Sequence, residues 1–408
     1  MEKMTNKLVL VLCLVIALIP SDSLRLVFTG IALFFVSSLA LLKSIKYRNF
    51  ICLIVFLFIF NYSIVPLDYI LGFENHIIKN IHTAESVETV CQTSFCLLLF
   101  ISVLINSMVF IVPEENNDYL FVDENPYVYW TVFIAAVLCF IFGLSGDNIL
   151  ESGGYGRGMS NRSSLYEYGI IFILIAIIYS KSGFHKNIVY FLCICFILKD
   201  LMFGGRVFSL QLLLAIFMLR YLHSISFKMF LLYVFVGYLF FQFWGHFRES
   251  LQGSEGYIAK KDGNSAYVFY ASMRIHYFID KGILCLTDRL RSFFYFICSL
   301  FVSTDKLPSL ANLSIYKQSS YYTGGGGLVS TFVYCWLGYP GVVLIPHFLG
   351  KILSGFYYTN SKYFKFYSLL VLINIPRWFA YYPIGIIKFA FIGTLLFYIF
   401  DKMFKKQK

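Results

Sequence analysis

The chain has 408 residues, of which 59% are hydrophobic and 13% charged, with a mean hydropathy of +0.73. These values exclude an ordinary soluble domain and describe a polytopic integral membrane protein. The net charge of +11 would suggest a nucleic-acid partner in a soluble protein, but here Lys and Arg sit mostly in short connections between apolar segments, where they orient the chain, so no nucleic acid is expected.

A hydrocarbon core about 30 Å thick needs roughly 20 apolar residues per helix. Twelve runs of about that length follow in order: 8–20, 24–42, 50–71, 90–112, 127–144, 166–180, 187–203, 207–222, 229–244, 339–358, 366–382 and 384–400. The first lacks a small-residue cleavage site and reads as a retained helix. Eight of the ten cysteines (Cys13, Cys52, Cys91, Cys96, Cys139, Cys193, Cys195, Cys335) lie in or beside these runs and act as small hydrophobes, leaving Cys285 and Cys298 as a candidate pair.

Lys3 and Lys7, Lys43, Lys46 and Arg48, Lys181 and Lys186, Arg220 and Lys228, Lys362 and Lys365, and the closing Lys402, Lys405, Lys406 and Lys408 all fall on one side. The positive-inside rule makes that side the cytoplasm, with both termini there. The acidic loop 113–126 lies on the same side and counts little in that rule. Three segments reach the outer face: 145–164, the turn at Gly204, Gly205 and Arg206, and a long stretch 245–338. The chain therefore divides into 1–244 with nine spans, 245–338 as a large external loop, and 339–408 with three spans and a cytoplasmic tail.

Within the loop, 264–302 reads as amphipathic helices lying in a membrane interface, rich in aromatics and basic residues. Residues 321–341 follow as a glycine-rich turn leading into a short apolar run, half-buried or re-entrant. No internal repeat is visible.

The outward arginines are Arg157 and Arg162, Arg206, Arg248, Arg274, Arg289 and Arg291, and Arg377. A guanidinium fork matches phosphate oxygens in pairs, so this concentration suggests a lipid-linked phosphate or diphosphate. The plain alternative is snorkelling to lipid phosphates, and Glu249 and Asp288 offer local partners to Arg248, Arg289 and Arg291. Arg206 and Arg377 lie at the ends of apolar runs, where a charge marks a functional site by default, and the glycines before Arg206 permit close backbone approach to a ligand or simply make the turn. Lys199 and Asp200 read as a snorkelling or local pair.

His276 follows Arg274 by two residues. In a helix the two would not share a face, whereas in a strand they would. It is a candidate general base toward a hydroxyl, with a solvated loop histidine as the alternative. His347 reads as packing. No D-x-D and no phosphate-binding G-x-x-x-x-G-K-[ST] occurs, and the glycine run 324–327 reads as a hinge. Neither a metal nor a cofactor is expected.

The segments "FGGRVFSLQLLLA" at 203–215, "GGGGLVSTFVYCWLGYPGVVLI" at 324–345 and "PRWFAYYP" at 376–383 resemble the glycine-arginine junction, the G-x-x-G span and the late arginine of the bacterial O-antigen polymerases of the Wzy type. The architecture is similar over nearly the whole chain. One departure stands out: only Ser330, Thr331 and Tyr334 are polar between Leu328 and Trp336, where many relatives carry an acid.

The resemblance implies an all-α, GT-C-like membrane glycosyltransferase of about twelve helices in the bacterial inner membrane, polymerising undecaprenyl-diphosphate-linked O-antigen repeat units at the periplasmic face. Catalysis is expected from Arg206, Arg377, Arg274 and His276. Substrate binding is expected from Arg157, Arg162, Arg248, Arg289, Arg291, Gly204 and Gly205, with Tyr321 and Tyr322 stacking on sugars. The implied partners are the lipid-linked oligosaccharides, the bilayer and a chain-length regulator. The alternatives are an O-antigen ligase, a flippase or transporter of lipid-linked oligosaccharide, and a membrane acyltransferase.

Overall fold

The computed structural model describes residues 2–72, 87–112, 125–147, 161–180, 183–222, 225–250, 264–317, 326–378 and 382–403. The described chain is almost wholly helical, as expected for an all-α membrane protein. In order come α1 (Glu2–Ala17), α2 (Asp22–Lys46), α3 (Phe50–Ser63), α4 (Val65–Leu71) and α5 (Val87–Ser107). Next are α6 (Pro126–Phe142), α7 (Ser164–Tyr179), α8 (Gly183–Met202), α9 (Val207–Ile216) with a π-helical extension Phe217–Tyr221, and α10 (Phe227–Ser250). Then follow α11 (Asn264–Asp280), α12 (Leu286–Ser299), α13 (Val329–Tyr358), α14 (Lys362–Ile373), α15 (Ile375–Trp378) and α16 (Ile384–Met403). Between α6 and α7, β1 (Leu144–Ser145) pairs antiparallel with β2 (Asn161–Arg162).

Among the described residues, five helical stretches are long and apolar enough to cross a bilayer: Asp22–Lys46, Phe50–Leu71, Val87–Ser107, Val329–Tyr358 and Ile384–Met403. Leu8–Ala17, Pro126–Phe142, Ser164–Tyr179, Val207–Tyr221 and Phe227–Phe241 are equally apolar but shorter. Two expected spans differ in form. The run 366–382 is interrupted at Asn374, because Pro376 cannot donate the backbone bond that would continue α14. The run expected from 339 begins ten residues earlier, at Val329, and breaks at Gly338, whose φ of 64° and ψ of −155° lie outside the helical region just before Pro340.

The chain forms two compact units: 1–114 with 260–358 and 374–388, and 115–259 with 359–373 and 389–408. In the first, α5 is the central helix and packs against α13, α2, α1 and α11. Hydroxyls along these helices bond to carbonyls four residues back, as Ser37 does to Leu33 (2.6 Å), Ser94 to Val90 (2.7 Å) and Ser102 to Leu98 (2.6 Å). That satisfies a polar group inside apolar surroundings without a partner helix. Asn49 caps α3 through Cys52 N (3.0 Å), and its amide donates to the carbonyls of Val109 and Phe110 just beyond α5. Close approach of α13 to α5 depends on Gly350, where a Cβ would lie 2.7 Å from Ser107 Cβ and 3.1 Å from its backbone.

In the second unit, α6 packs on α7, and the corner between α8 and α9 answers why charges stand among apolar residues there. Asp200 is fully buried, and its Oδ2 accepts from Ser209 N (3.0 Å) and Ser209 Oγ (2.8 Å), capping the start of α9. Lys199 donates to Phe140 O (2.5 Å). Asp200 thus pairs locally across the α8–α9 corner, and Lys199 finds a backbone carbonyl of α6. Gly204, with φ of 75°, makes the left-handed turn. At the other end of this unit, buried Asp401 accepts from Lys362 Nζ (2.6 Å), Tyr363 Oη (2.6 Å) and Tyr179 Oη (2.9 Å), tying α14, α16 and α7 together.

Gly350→Leu is expected to push α13 off α5 and to cost about 1–3 kcal/mol, the range for overpacking a filled contact, seen as a lower thermal midpoint in detergent. Asp401→Ala strands the Lys362 cation and two hydroxyls, and is expected to cost about 3–5 kcal/mol in the same measurement.

Candidate functional site

The site is centred on α11. Its sequence carries apolar or aromatic residues on every side, and Val268, Phe269, Tyr270, Ala271, Met273, Ile275 and Phe278 are all buried. α11 is covered by α5, α13, α3 and α4. The expectation that 264–302 lies in an interface therefore holds in form only for α12; α11 is a core helix.

Arg274 and His276 both lie on this helix with no solvent exposure. Two residues of α-helix turn through about 200°, so they address different walls. Arg274 donates through its Nη2 to Ser314 O (2.9 Å) and Leu313 O (3.4 Å), and its guanidinium lies 5.6 Å from the Phe278 ring. Burial pushes this guanidinium down to about 10, which leaves it cationic at neutral pH.

His276 shares its face with Ser272, four residues earlier, and both meet the start of α13. Ser272 Oγ accepts from Leu328 N (2.7 Å) while donating to Val268 O (3.0 Å). The His276 ring lies 5.0 Å from that of Tyr334. Arg289 of α12 then closes the wall, donating to Cys335 O (2.6 Å) and Tyr334 O (3.1 Å), with its guanidinium 5.8 Å from the Tyr334 ring. Burial first, and the Arg289 charge second, push the His276 imidazole down to about 3, so it is neutral at physiological pH.

The first turn of α13 explains the rest. Gly326 and Gly327, with φ of 88° and 148°, precede it, and a Cβ on Gly327 would lie 3.0 Å from the Phe332 ring. The glycine run, expected as a hinge, is at these two positions a fixed turn against α11. Ser330 and Thr331 would bond back to residues 326 and 327, which lie before the helix, so the usual carbonyl partner is missing. Both side chains are fully buried, and among the described residues Ser330 Oγ, Thr331 Oγ1, Tyr382 Oη and both His276 ring nitrogens have no hydrogen-bond partner. Tyr382 stands edge-on to Phe332 (5.3 Å) and Trp336 (5.9 Å). Buried polar atoms left unpaired cost about 1–3 kcal/mol each, so their meeting at one helix start makes it the candidate place for a polar ligand or water.

The structure thus brings together His276 and Arg289, with Ser272, Ser330, Thr331, Tyr334 and Tyr382 not foreseen, and sets Arg274 on the other side of the same helix. Ser330 and Thr331 had a signal, as the first hydroxyls after the glycine turn; Tyr382 had none among 31 tyrosines. His276 is neither extended nor solvated, and His347 does pack, with its Nδ1 2.9 Å from Ser107 Oγ. Arg291 stands apart, 63% exposed and 4.0 Å from Asp288. Arg377 is a half-buried residue of α15 in the first unit, with its backbone N–H bonded to Asn374 O (2.8 Å). Arg206, half-buried, stands at the N-cap of α9 in the second unit, where Asp200 rather than its own side chain does the capping; Gly205 N donates to Asp200 O (2.8 Å). Arg162 lies in β2 and Arg248 in α10, with side chains outside the described residues, as are Arg157, Tyr321 and Tyr322 entirely.

Cys285 and Cys298 do not pair. Both are free, and thirteen residues along one helix separate them by about 20 Å, far beyond disulfide reach. Among the described residues no group of three His, Cys, Asp or Glu side chains is placed to hold a metal ion.

No protein-family model matches the chain, no characterised protein matches it in sequence, and no solved structure matches it in fold.

Because folding lowers the His276 pKa from about 6.5 in the unfolded chain to about 3, its neutral state favours the fold above pH 6.5, and that contribution is lost as pH falls toward 3. Thermal midpoints measured from pH 7 to pH 4 are expected to fall less steeply for His276→Gln than for the native chain; parallel profiles would refute this burial.

Proposed function

We propose that the protein is a membrane glycosyltransferase that polymerises oligosaccharide repeat units carried on undecaprenyl diphosphate, with a GT-C-like arrangement of about twelve spans and its site at the periplasmic face of a bacterial inner membrane. The observation that carries this reading is the wall between α11 and the start of α13: the neutral His276 imidazole and the Arg289 guanidinium meet a helix start lined with unpaired hydroxyls, while Arg274 occupies the other side of α11. That set suits a substrate with both an anionic diphosphate and neutral sugar hydroxyls. The glycine-arginine, G-x-x-G and late-arginine segments that resemble O-antigen polymerases support the same class.

In the proposed reaction, a hydroxyl oxygen of the incoming unit forms a bond to the anomeric carbon of the growing chain. The bond from that carbon to the diphosphate oxygen breaks, with its electron pair leaving on undecaprenyl diphosphate. Charge grows on the leaving group, and fixed guanidinium donors stabilise it without reorganising. Arg377 and Arg274, which belong to the same unit, take that role in this reading. A histidine with so low a pKa is a weak base, so His276 acts chiefly by accepting a hydrogen bond that orients the attacking hydroxyl, and the hydroxyl proton ends on an oxygen of the departing diphosphate as the new bond forms.

Deleting the gene and resolving host lipopolysaccharide on a gel tests the class. A polymerase is expected to leave core plus a single repeat unit and no ladder, restored by the native gene; bare core would overturn it in favour of a ligase or flippase. Arg274→Ala and Arg377→Ala are each expected to restore polymer at least about 100-fold less well at equal membrane abundance, the cost of losing one transition-state donor.

A further inference from the structure

We propose that α12 is an in-plane membrane helix whose outward stripe is seated in the lipid headgroup and upper acyl region, and that it thereby sets the depth of the α11–α13 site. The inference is independent of the reaction proposed above. One face of α12 is fully used inside the protein. Arg289 bonds the carbonyls of Tyr334 and Cys335, Ser292 accepts from Trp336 Nε1 (3.1 Å), and Phe296 stacks on Trp336 with ring centres 4.3 Å apart.

The opposite face is apolar and uncovered. Leu286, Leu290, Phe294 and Ile297 recur at helical spacing, and Phe301 and Val302 extend the stripe into the following turn; Phe294 is 61% exposed and Phe301 81%. The exposed polar side chains of the helix, Thr287 and Arg291, fall in its first two turns, so polarity fades toward the C-terminal end. That pattern is the signature of a helix lying in a bilayer interface, with its charged end shallower than its apolar end.

Depth comes from two spanning helices. α13 breaks at Gly338, and the segment from there to Tyr358 has about the length that crosses hydrocarbon, some 30 Å. Arg289 grips carbonyls three and four residues before that break, on the side away from the span. At its other end, α12 is capped by Lys388, which donates to Ser299 O (3.1 Å) from one turn inside α16. α12 is therefore level with the starts of both spans, about 6 Å below the first residue of α16, within the depth that interfacial helices occupy.

A lipid occupant fits better than a second copy of the chain. The stripe is about 21 Å long and about 10 Å wide, near 200 Å², whereas a stable protein interface needs about 800 Å² per partner. The half-dozen exposed residues match acyl chains, and Arg291 at the shallow end matches a lipid phosphate.

The full-length chain carrying p-benzoylphenylalanine at position 294, reconstituted in phosphatidylethanolamine–phosphatidylglycerol vesicles and irradiated, tests the proposal. Phe294→p-benzoylphenylalanine is a near-isosteric change. The same residue at exposed Leu344, in the apolar stretch of α13 after Gly338, reports the position expected in hydrocarbon, and at Thr287, two turns earlier on the same face as Phe294, the shallower end of the stripe. Lipid adducts by mass are expected at 294, comparable to those at 344 and several-fold above those at 287. A covalent dimer at 294, or no adduct there while 344 reacts, overturns the proposal.

Discussion

A hydroxyl or an imidazole surrounded by apolar side chains must find a partner, and the rest of this structure follows from how that demand is met. Along α2 and α5 the hydroxyls of Ser37, Ser44, Thr93, Ser94 and Ser102 turn back to their own helix, so those helices present a largely apolar surface to their neighbours and can pack closely. Gly350 shows the consequence at atomic scale, since α5 and α13 approach until a single methyl group would not fit. Where self-satisfaction fails, several of the failures meet at one place in the first unit. The start of α13 has no carbonyls to offer Ser330 and Thr331, and Tyr382 and His276 stand against the same turns.

The charged groups obey the same demand with larger penalties. Desolvating a cation is expensive, and backbone carbonyls repay part of that cost without introducing a second charge. Arg274 on the carbonyls of residues 313 and 314, and Arg289 on those of 334 and 335, are fixed in this way. Arg289, held by neutral dipoles on α13, keeps its positive charge on the wall that carries His276. Asp200 and Asp401 solve the opposite problem, one against a helix N-terminus and one against a lysine and two tyrosines, and both serve the fold.

Hydrophobic run length made the helices legible, because the hydrocarbon thickness sets that length whatever the sequence between. Their terminations were less so: Pro376 and the Gly338 break displace boundaries by local stereochemistry that a window of hydropathy averages away. The loop 264–302 was misjudged for a related reason. α11 and α12 have similar aromatic-basic composition, but burial separates them, and burial depends on α3, α4, α5 and α13, which are distant in sequence. Arg274 and His276 were found as residue types; that they lie in a helix, sealed, and on different walls came only from tertiary packing. The participation of Tyr382 required knowing that residues 374–388 fold with residues 260–358.

The coupling of these levels gives α12 its place. Its inner face fixes the carbonyls at the second turn of α13, the same turns that hold Tyr334 against His276. Its outer face offers nothing but apolar side chains along most of its length. A helix so built is held between a protein wall and a lipid surface, and any displacement along the membrane normal would have to pull Arg289 from its carbonyls or Lys388 from Ser299. The polar cluster at the start of α13 therefore sits at a depth defined by the bilayer itself, where a lipid-linked substrate would present its headgroup, and the fold needs no separate domain to hold it there.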